Sequence, residues 1–383
     1  MFNYTCLNPI AGVGLNLFSD DYKKVDDIKD AQAALVRSAA MHDMELGDTV
    51  LAVARAGAGV NNIPLDKYAE AGVVVFNTPG ANANAVKELV LAALLLASRD
   101  LIGGAEWVKA NASDENIGKT AEKAKKNFAG TEIFGKTIAV IGLGAIGILV
   151  ANAAIDLGMK VVGYDPYLST QNALKLNSKV KYTTDLKAAV RDADFVTIHV
   201  PAMDSTKGMI NAEVIQEMKK NVAILNFSRD TLVKEDALGA ALEAGNVRKY
   251  VTDFANAKVV AFKNTIILPH LGASTEEAED NCAIMAIAEL KDFLENGNIK
   301  NSVNYPAVNA GVKNGASRVT IAHKNVPGVI NHFTKVVADA GANINTLLNQ
   351  SKGDYAYTIL DTDQPVDAKI FNGVTGVIRV RVI

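Results

Sequence analysis

Residues 138–165, IAVIGLGAIGILVANAAIDLGMKVVGYD, constrain the fold more than any other part of the chain. An apolar run predicts a strand, and Gly142, Gly144 and Gly147 follow it before a helical segment and a second strand. Glycines at this spacing allow a tight turn, a close approach of a pyrophosphate and close packing of the helix on the strand. The phosphates then lie at the N-terminus of a helix. The segment therefore predicts a dinucleotide-binding unit.

The acid at the end of this segment indicates which dinucleotide is bound. Asp165 lies 23 positions after Gly142, at the end of KVVGYD. A carboxylate there can accept hydrogen bonds from both ribose hydroxyls and would repel a 2′-phosphate. NAD is therefore favoured over NADP.

Composition limits the remaining possibilities. A chain of 383 residues with 49% hydrophobic residues should form two or three domains with a sizeable core. The net charge of −3 gives no general attraction to nucleic acid or to anionic lipid. Cys6 and Cys282 are too few for a disulfide framework or a zinc site, so no metal is expected.

Neither the N-terminus nor the longest apolar run predicts export or a membrane segment. MFNYTCLNPI lacks a basic region followed by an apolar signal core, which favours a cytoplasmic location. LVLAALLLAS, residues 89–98, is far shorter than the roughly 20 residues that a bilayer needs. It predicts a buried helix.

The order of apolar runs predicts an α/β protein with a doubly wound parallel sheet. Runs in the first 80 residues, among them AALVRSA and GVVVFNTPG, indicate one α/β lobe. After Asp165 the runs ADFVTIHVP, NVAILNFS, KYVTDF and NTIILPH predict strands buried on both faces. Residues 274–297 predict a helix with Ser274 as its N-cap, acids in its first turns and Gly297 at its end. The Asn- and Gly-rich residues 298–317 indicate a linker, and residues 318–383 a separate βαβ-type module.

Two strand ends carry residues suited to the oxidation of an alcohol. Arg229 ends the NVAILNFSR run and His270 ends NTIILPH. Ligands of doubly wound sheets bind outside the carboxyl ends of the strands. An imidazole can take the hydroxyl proton when a hydride leaves a secondary alcohol, and an arginine can hold a substrate carboxylate. His270 and Arg229 are therefore the candidate catalytic residues.

Six segments together resemble the D-isomer-specific 2-hydroxyacid dehydrogenases. They are RAGAGVNNIP at 55–64, FNTPGANANAVKELV at 76–90, the glycine unit, HVP at 199–201, NFSR at 226–229 and PHLGASTEEAEDN at 269–281. The resemblance implies oxidation of the C2 hydroxyl of 3-phosphoglycerate to 3-phosphohydroxypyruvate with NAD, the entry step of serine synthesis. It also implies three domains. These are a flavodoxin-like substrate domain (1–82 and 281–303), a Rossmann NAD domain (83–280) and, after a linker at 304–317, a ferredoxin-like α+β domain of the ACT type (318–383).

The resemblance also assigns roles to individual residues. Substrate would be bound by Arg37 and Ser38, by the backbone at Ala56, Gly57 and Ala58, and by Asn82, with Arg37 suited to the phosphate. Positions that contact NAD would be Gly142, Gly144, Ala145, Ile146, Gly147, Asp165, His199, Val200, Pro201, Thr206, Asn226, Phe227, Ser228, Asp253, His270 and Gly272.

The C-terminal module resembles ACT ligand-binding domains over HKNVPGVINHFTKVVADAGANINTLL. In such domains His323, Asn325 and Asn343 would hold an amino acid at a subunit interface, here serine. Gly328 suits a turn at which backbone approaches a ligand. The alternative is a module that only dimerises. A homodimer or a higher homo-oligomer is expected in either case.

One departure from the family pattern bears on activity. The family has an acid, typically preceded by a proline, shortly after the VTDF segment, and its carboxylate orients the catalytic histidine. This chain has Ala255, Ala257 and Lys258 in that region, and Asp230 replaces the glycine usual after the catalytic arginine. Two alternatives therefore stay open. One is a reductase of another 2-oxo acid, such as hydroxypyruvate or glyoxylate, and the other is a catalytically weakened sensor that binds NAD and serine.

Overall fold

The computed structural model describes residues 1–383. The chain divides into two compact units. The first unit contains residues 1–82 and 276–383, and the second contains residues 83–275. The predicted domain boundaries stay predictions.

Residues 1–82 form a five-stranded parallel sheet with short helices. Its strands are β1 (Phe2–Cys6), β2 (Tyr22–Lys24), β3 (Ala33–Val36), β4 (Ala52–Arg55) and β5 (Val74–Phe76). Its helices are α1 (Gly12–Leu15) and α2 (Leu65–Glu70), with a 3-10 turn at Ile28–Asp30. The strand order β2-β1-β3-β4-β5 is a common doubly wound order. Every residue of β3, the central strand, is buried because the sheet is covered on both faces.

Residues 83–275 form a second parallel sheet, of seven strands. The helices are α3 (Ala83–Ser98), α4 (Leu101–Ala110), α5 (Ile117–Ala124), α6 (Ala145–Asp156), α7 (Thr170–Ala173), α8 (Leu186–Val190), α9 (Ala212–Glu217), α10 (Glu235–Glu243) and α11 (Ala257–Val260). The strands are β6 (Thr137–Ile141), β7 (Lys160–Tyr164), β8 (Lys181–Thr183), β9 (Phe195–Ile198), β10 (Val222–Asn226), β11 (Val247–Thr252) and β12 (Thr265–Ile267). Lys125–Asn127 and Asp230–Leu232 are 3-10 turns.

The order of these strands locates a ligand-binding edge. The order is β12-β11-β10-β9-β6-β7-β8, and all neighbours run parallel. The chain therefore builds outwards from β6 in one direction and then from β9 in the other. In such sheets the crevice for ligands opens at the carboxyl ends of the strands beside this reversal.

Burial in the second unit follows the apolar pattern, with two exceptions. Strands β9 and β10 are buried throughout, as the sequence predicts. The predicted helix over residues 89–98 is confirmed within α3, but it is not buried all round: one face packs on the sheet through Val90, Ala93 and Leu94, and Leu95 is 41% exposed. The prediction that NTIILPH is buried on both faces is wrong. Its strand, β12, is the edge of the sheet and is only half-buried, because no further strand covers its outer side.

Residues 276–296 form the longest helix, α12 (Glu276–Asn296), and Gly297 follows it with φ +71° as predicted. The predicted N-cap at Ser274 is wrong, because the helix begins at Glu276. The Ser274 N–H instead donates to the Leu271 carbonyl (3.0 Å), which closes a turn of the preceding loop. Acids occupy the first turn of the helix, as predicted.

The last part of the chain is an antiparallel sheet with one helix. It contains β13 (Ser317–Lys324), α13 (Val329–Asp339), β14 (Ile344–Lys352), β15 (Tyr355–Thr362), a 3-10 turn at Ala368–Phe371, and β16 (Val377–Val382). The order is β14-β15-β13-β16, and all neighbouring pairs are antiparallel. Strands β13 and β14 flank α13 in sequence but are separated by β15, so this is a split βαβ arrangement.

The segment between α12 and β13 contains no helix or strand, yet it packs into the first unit. Tyr305 is fully buried, and its hydroxyl donates to the Ala69 carbonyl (2.7 Å). The Asn304 side chain accepts from the Val75 N–H (2.9 Å) and donates to the Val73 carbonyl (2.9 Å). These contacts cover the edge strand β5.

None of the helices combines the length and the apolar character that crossing a membrane requires.

Candidate active site

The glycine loop joins β6 to α6 at the strand reversal of the seven-stranded sheet. Gly142 has φ +96°, and a Cβ there would lie 2.6 Å from the His199 carbonyl oxygen. A Cβ on Gly147 would lie 1.8 Å from the Gly142 carbonyl oxygen. Nothing lies within 4 Å of a Cβ built on Gly144, the residue before the first residue of α6. The loop therefore excludes side chains by packing at two positions and leaves open space at the third.

Asp165 is fixed against this loop from the end of β7. Its Oδ2 accepts from the Leu143 N–H (2.9 Å), and its Oδ1 accepts from the Tyr167 N–H (2.8 Å). The Tyr182 hydroxyl donates to the Asp165 carbonyl (2.7 Å). Each carboxylate oxygen retains a lone pair, so the group can still accept from a ligand hydroxyl.

The residues after β9 lie across the sheet reversal from the glycine loop. His199 is buried, its Nε2 lies 2.9 Å from Thr197 Oγ1, and its Nδ1 has no partner. Burial lowers the pKa of His199 to about 3, so the ring is neutral. Pro201 follows, and its carbonyl accepts from Thr206 Oγ1 (2.6 Å). An unpartnered buried nitrogen here is suited to meet a ligand.

Asn226, at the end of β10, holds the segment that carries Arg229. Asn226 Nδ2 donates to the Arg229 carbonyl (2.8 Å), and Asn226 Oδ1 accepts from the Ser228 N–H (3.2 Å). Ser228 Oγ donates to the Ile198 carbonyl (2.8 Å), which ties the segment to β9. The Arg229 side chain itself is exposed at this edge. Asp230 begins a 3-10 turn without positive φ, so its replacement of the usual glycine causes no backbone strain.

The ends of β11 and β12 are joined through Asp253. This residue is 2% exposed, and its Oδ2 accepts from the Gly272 N–H (2.9 Å) in the loop after β12. Its Oδ1 has no partner. Thr252 Oγ1 donates to the Asn226 carbonyl (2.8 Å), which links β11 to β10. The three strand ends are therefore connected side by side.

His270 lies in the loop after β12 and is exposed. Its imidazole makes no hydrogen bond and no ion pair, and it packs against Phe254, with ring centroids 5.0 Å apart and planes at 60°. No carboxylate forms an ion pair with this imidazole. Lys258 forms ion pairs with Asp236 (2.6 Å) and Glu235 (3.9 Å), so these acids compensate its charge.

The predicted substrate residues of the first unit lie after β3 and β4. Asn8 Oδ1 accepts from the backbone N–H groups of Arg37 (2.9 Å), Ser38 (3.1 Å) and Ala39 (3.0 Å), which fixes this loop. The Arg37 guanidinium pairs with Glu279 Oε1 on α12 at 2.5 Å, and both side chains are 43% exposed. Arg37 is thus accessible but already faces a carboxylate.

The loop after β4 is held by backbone contacts. The Ala56 N–H donates to the Val36 carbonyl (2.8 Å), the Gly57 carbonyl accepts from the Thr78 N–H (3.1 Å), and the Ala58 carbonyl accepts from Asn77 Nδ2 (2.6 Å). Asn82 directly precedes α3.

Sequence reasoning did not single out Arg55, which ends β4. Its Nε donates to the Arg37 carbonyl (3.1 Å). The sequence could have indicated Arg55 as a candidate, because it is a cationic residue at the carboxyl end of a buried strand.

The three predicted effector residues of the C-terminal sheet differ in exposure. His323 is 1% exposed. Its Nδ1 lies 2.9 Å from the Lys324 carbonyl oxygen, and its Nε2 lies 2.9 Å from Thr358 Oγ1. Burial lowers its pKa. Asn325 and Asn343 are exposed and donate to Gly353 (3.2 Å) and Asp363 (3.4 Å). No hydrogen bond joins the three residues, and their assignment as one site stays a prediction.

The sheet order, the glycine loop and Asp165 define a dinucleotide-binding domain. Residues 91–272 match the family model for the NAD-binding domain of D-isomer specific 2-hydroxyacid dehydrogenases. The chain is 32% identical over 366 residues to a putative D-3-phosphoglycerate dehydrogenase of Schizosaccharomyces pombe, covering 88% of this chain and 74% of the relative. The chain belongs to the D-isomer specific 2-hydroxyacid dehydrogenase family.

Two further comparisons show how far the similarity extends. The chain is 31% identical over 315 residues to a D-3-phosphoglycerate dehydrogenase of Synechocystis, covering 80% of this chain and 54% of that protein. It spans about half the length of several curated relatives, 54% in each case. A crystal structure of NAD+-bound 3-phosphoglycerate dehydrogenase from Entamoeba histolytica superposes with a TM-score of 0.63 at 26% identity, covering 79% of this chain and 98% of that one.

Proposed function

We propose that this chain catalyses the NAD-dependent oxidation of the C2 hydroxyl of 3-phosphoglycerate to 3-phosphohydroxypyruvate, the first step of serine biosynthesis. The carrying observation is that Arg229 and the His270 loop lie at the carboxyl edge of the seven-stranded sheet, which also holds the glycine loop. The names of the relatives in S. pombe and Synechocystis support the choice of substrate.

The residues present fit NAD. The open space at Gly144 suits a pyrophosphate at the N-terminus of α6. Asp165 is held where its carboxylate can accept from ribose hydroxyls, and it would repel a 2′-phosphate. His199 Nδ1 and Asp253 Oδ1 are buried polar atoms without partners, as expected of groups that complete their hydrogen bonds with a ligand. Of the other predicted contacts with NAD, Ala145 and Ile146 begin α6, and Asn226 ends β10.

The chemistry follows from the side chains at this edge. NAD, when bound, would supply the acceptor for the hydride at C2. His270 takes the hydroxyl proton on an imidazole nitrogen, and both of its nitrogens are free of protein partners. Arg229 holds the substrate carboxylate and polarises the oxygen at C2, using guanidinium donors that reach solvent.

Arg37 and Ser38 supply the proposed phosphate contacts. Their backbone is fixed by Asn8, so the guanidinium projects from a rigid loop. The neighbouring Arg55 adds a second cation at the end of β4. A guanidinium matches the geometry of a phosphate, which two of its N–H groups can bind together.

The test is NADH consumption with 3-phosphohydroxypyruvate, compared with hydroxypyruvate. We expect turnover that favours the phosphorylated acid and is lost in His270→Ala. Arg37→Ala should lower kcat/KM for the phosphorylated acid by about 100-fold, the scale of a lost charge-assisted contact, and leave hydroxypyruvate unaffected. Equal losses on both substrates would contradict the phosphate assignment.

Two observations favour the alternative functions, a sensor and a reductase of another 2-oxo acid. The imidazole of His270 has no acid partner, which favours a weakened sensor that binds NAD and serine without turnover. The pairing of Arg37 with Glu279 favours a substrate without a phosphate, such as hydroxypyruvate or glyoxylate. NADH binding without turnover on any 2-oxo acid would support the first alternative, and a preference for hydroxypyruvate would support the second.

We further propose that residues 318–383 form an ACT domain that binds serine through His323, Asn325 and Asn343. The split βαβ order and the left-handed Gly328 (φ +80°) before α13 support this assignment. Strand β14, nine residues long, is an unpaired edge and suits the predicted homodimer or higher homo-oligomer. The two free thiols, Cys6 and Cys282, support a cytoplasmic location.

Serine binding can be measured by titration calorimetry. We expect heat of binding with the full chain and none in Asn343→Ala, whose exposed side chain can be removed without opening the core. An absence of heat with the unmodified chain would leave this module with dimerisation alone.

A further inference from the structure

We propose that Phe254 is a positioning residue that orients His270 for proton transfer, in place of the acid that the chain lacks. The inference rests on the proposed function, in which His270 is the base. Phe254 follows β11, and His270 follows its neighbour β12.

The His270 imidazole makes no hydrogen bond and no ion pair, and its aromatic contact is with Phe254. The two rings meet edge to face, with centroids 5.0 Å apart and an interplanar angle of 60°. Aromatic pairs prefer this arrangement because the positive edge of one ring meets the negative face of the other. A half-buried phenylalanine can therefore restrict the rotation of the exposed imidazole without forming a hydrogen bond to it.

Hydrogen bonds hold the backbone of Phe254 in place, so its ring can fix the orientation of the His270 imidazole. Its N–H donates to Thr252 Oγ1 (3.2 Å), and the same hydroxyl donates to the Asn226 carbonyl at the end of β10 (2.8 Å). Asn226 in turn holds the Arg229 carbonyl (2.8 Å). The position of Phe254 is thus coupled to the segment that carries the proposed carboxylate-binding arginine.

Asp253, the residue before Phe254, holds the backbone of the loop that carries His270. Asp253 Oδ2 accepts from the Gly272 N–H (2.9 Å), so the backbone of the His270 loop is tied to the residue next to Phe254. Two consecutive residues therefore restrain this loop, one at its backbone and the other at the imidazole.

This arrangement differs chemically from a histidine–acid pair. An acid would accept a hydrogen bond from one imidazole nitrogen and select one tautomer. The Phe254 ring leaves both nitrogens without a protein partner. Orientation in this chain is therefore supplied by packing, and a loss of packing should affect kcat before it affects cofactor binding.

The experiment compares Phe254→Leu and Phe254→Tyr with Phe262→Leu as the matched control. Phe262 is also half-buried in this unit, packs on the core beside Gly239 of α10 and forms no aromatic pair with His270. We expect Phe254→Leu to lower kcat by about 10- to 100-fold, the effect of a small misplacement of a reacting group, with the Kd of NADH unchanged. Phe254→Tyr keeps the ring and should retain most of the activity.

NMR spectroscopy tests the ring contact without requiring turnover. The His270 ring C–H signals, assigned by their absence in His270→Ala, should carry a ring-current shift that Phe254→Leu removes and both Phe254→Tyr and Phe262→Leu preserve. An unchanged signal in Phe254→Leu would overturn the contact, and an unchanged kcat beside a shifted signal would overturn the positioning role. If no 2-oxo acid is turned over but the signal responds as expected, the proposed function has failed and the ring contact has not.

Discussion

Two arginine–carboxylate pairs of the first unit have nearly the same separation and opposite surroundings. Arg37 lies 2.5 Å from Glu279, and both side chains are 43% exposed. Arg318 lies 2.6 Å from Asp361, and their side chains are 0% and 1% exposed. The nitrogen–oxygen distance alone therefore does not distinguish a proposed ligand-binding arginine from one inside the core.

The difference lies in the remaining donors of each guanidinium. Arg318 grips both oxygens of Asp361 and donates to carbonyls at the end of α12 and in the segment before β13, namely those of Asn296, Ala310, Gly311 and Val312. The Arg37 guanidinium forms an ion pair with Glu279 alone. A guanidinium has five N–H donors, so Arg37 keeps several for a ligand and Arg318 keeps none. An ion pair with a carboxylate therefore does not show whether an arginine can bind a ligand. Its burial and the number of N–H donors already in hydrogen bonds do.

The largest effect is expected from breaking the buried pair. Arg318→Met leaves the Asp361 carboxylate buried without its cation, and we expect a loss of about 3–5 kcal/mol in the free energy of unfolding, measured by urea denaturation. Lys335→Met is the control, since its pair with Asp339 is exposed at 69% and 62% and should contribute at most about 1 kcal/mol. Similar losses in both variants would show that burial does not separate the two kinds of pair.

A double variant sharpens the same test. Arg318→Met with Asp361→Leu removes both charges and should recover part of the lost stability. Recovery should remain incomplete, because the carbonyls that Arg318 satisfies keep no donor. Full recovery would mean that the contacts to α12 and the following segment contribute nothing.

A further carboxylate of the first unit, that of Glu289, is buried and forms no ion pair. Glu289 is 6% exposed, its Oε1 accepts from Asn301 Nδ2 (2.6 Å), and its Oε2 has no partner. Burial raises the pKa of Glu289 from 4.5 to about 7. The folded chain therefore holds this proton more tightly than the unfolded chain, and stability should fall as pH rises through this interval.

We expect this group to lower the free energy of unfolding by about 1–3 kcal/mol between about pH 5 and about pH 8. Urea denaturation at the two pH values measures the loss. Glu289→Gln should remove it, whereas Glu277→Gln, at an exposed position of the same helix, should leave it in place. A loss that persists in Glu289→Gln would assign the pH dependence to another group.

The smallest effect is expected at the exposed pair. Glu279→Gln removes the charge that competes for Arg37, and we expect the KM for 3-phosphohydroxypyruvate to fall about two- to fivefold, the equivalent of an exposed ion pair. The KM for hydroxypyruvate and the thermal midpoint should not change. A higher KM for the phosphorylated acid would show that Glu279 holds Arg37 in its binding orientation.

Much of the fold could be predicted because local patterns carry it. The glycines after β6, the apolar runs of β9 and β10, and the acids at the start of α12 are each recognisable within a few residues. Two errors concern Ser274 and β12. Ser274 has the side chain of an N-cap, but the helix begins only at Glu276, and Ser274 itself lies in a turn with Leu271. The apolar run of β12 does not show that it is an edge strand.

The candidate site was less accessible to prediction from sequence. Arg229, His270 and Asp165 stand at strand ends, which sequence reasoning can find. Phe254 and Glu279 could not be selected, because their partners lie 16 and 242 positions away in the sequence and only folding brings the side chains together.

The sequence by itself determined that this chain binds a dinucleotide, because strand, glycine turn, helix and acid follow one another in a single short segment, and that a histidine and an arginine follow two of its strands. Only the tertiary structure decided which charged side chains are exposed and can therefore bind a ligand. The two arginine pairs have the same chemistry along the chain, and packing of the C-terminal sheet buries Arg318 while Arg37 remains in solvent. Exposure depends on what covers a residue, and distant segments supply that cover.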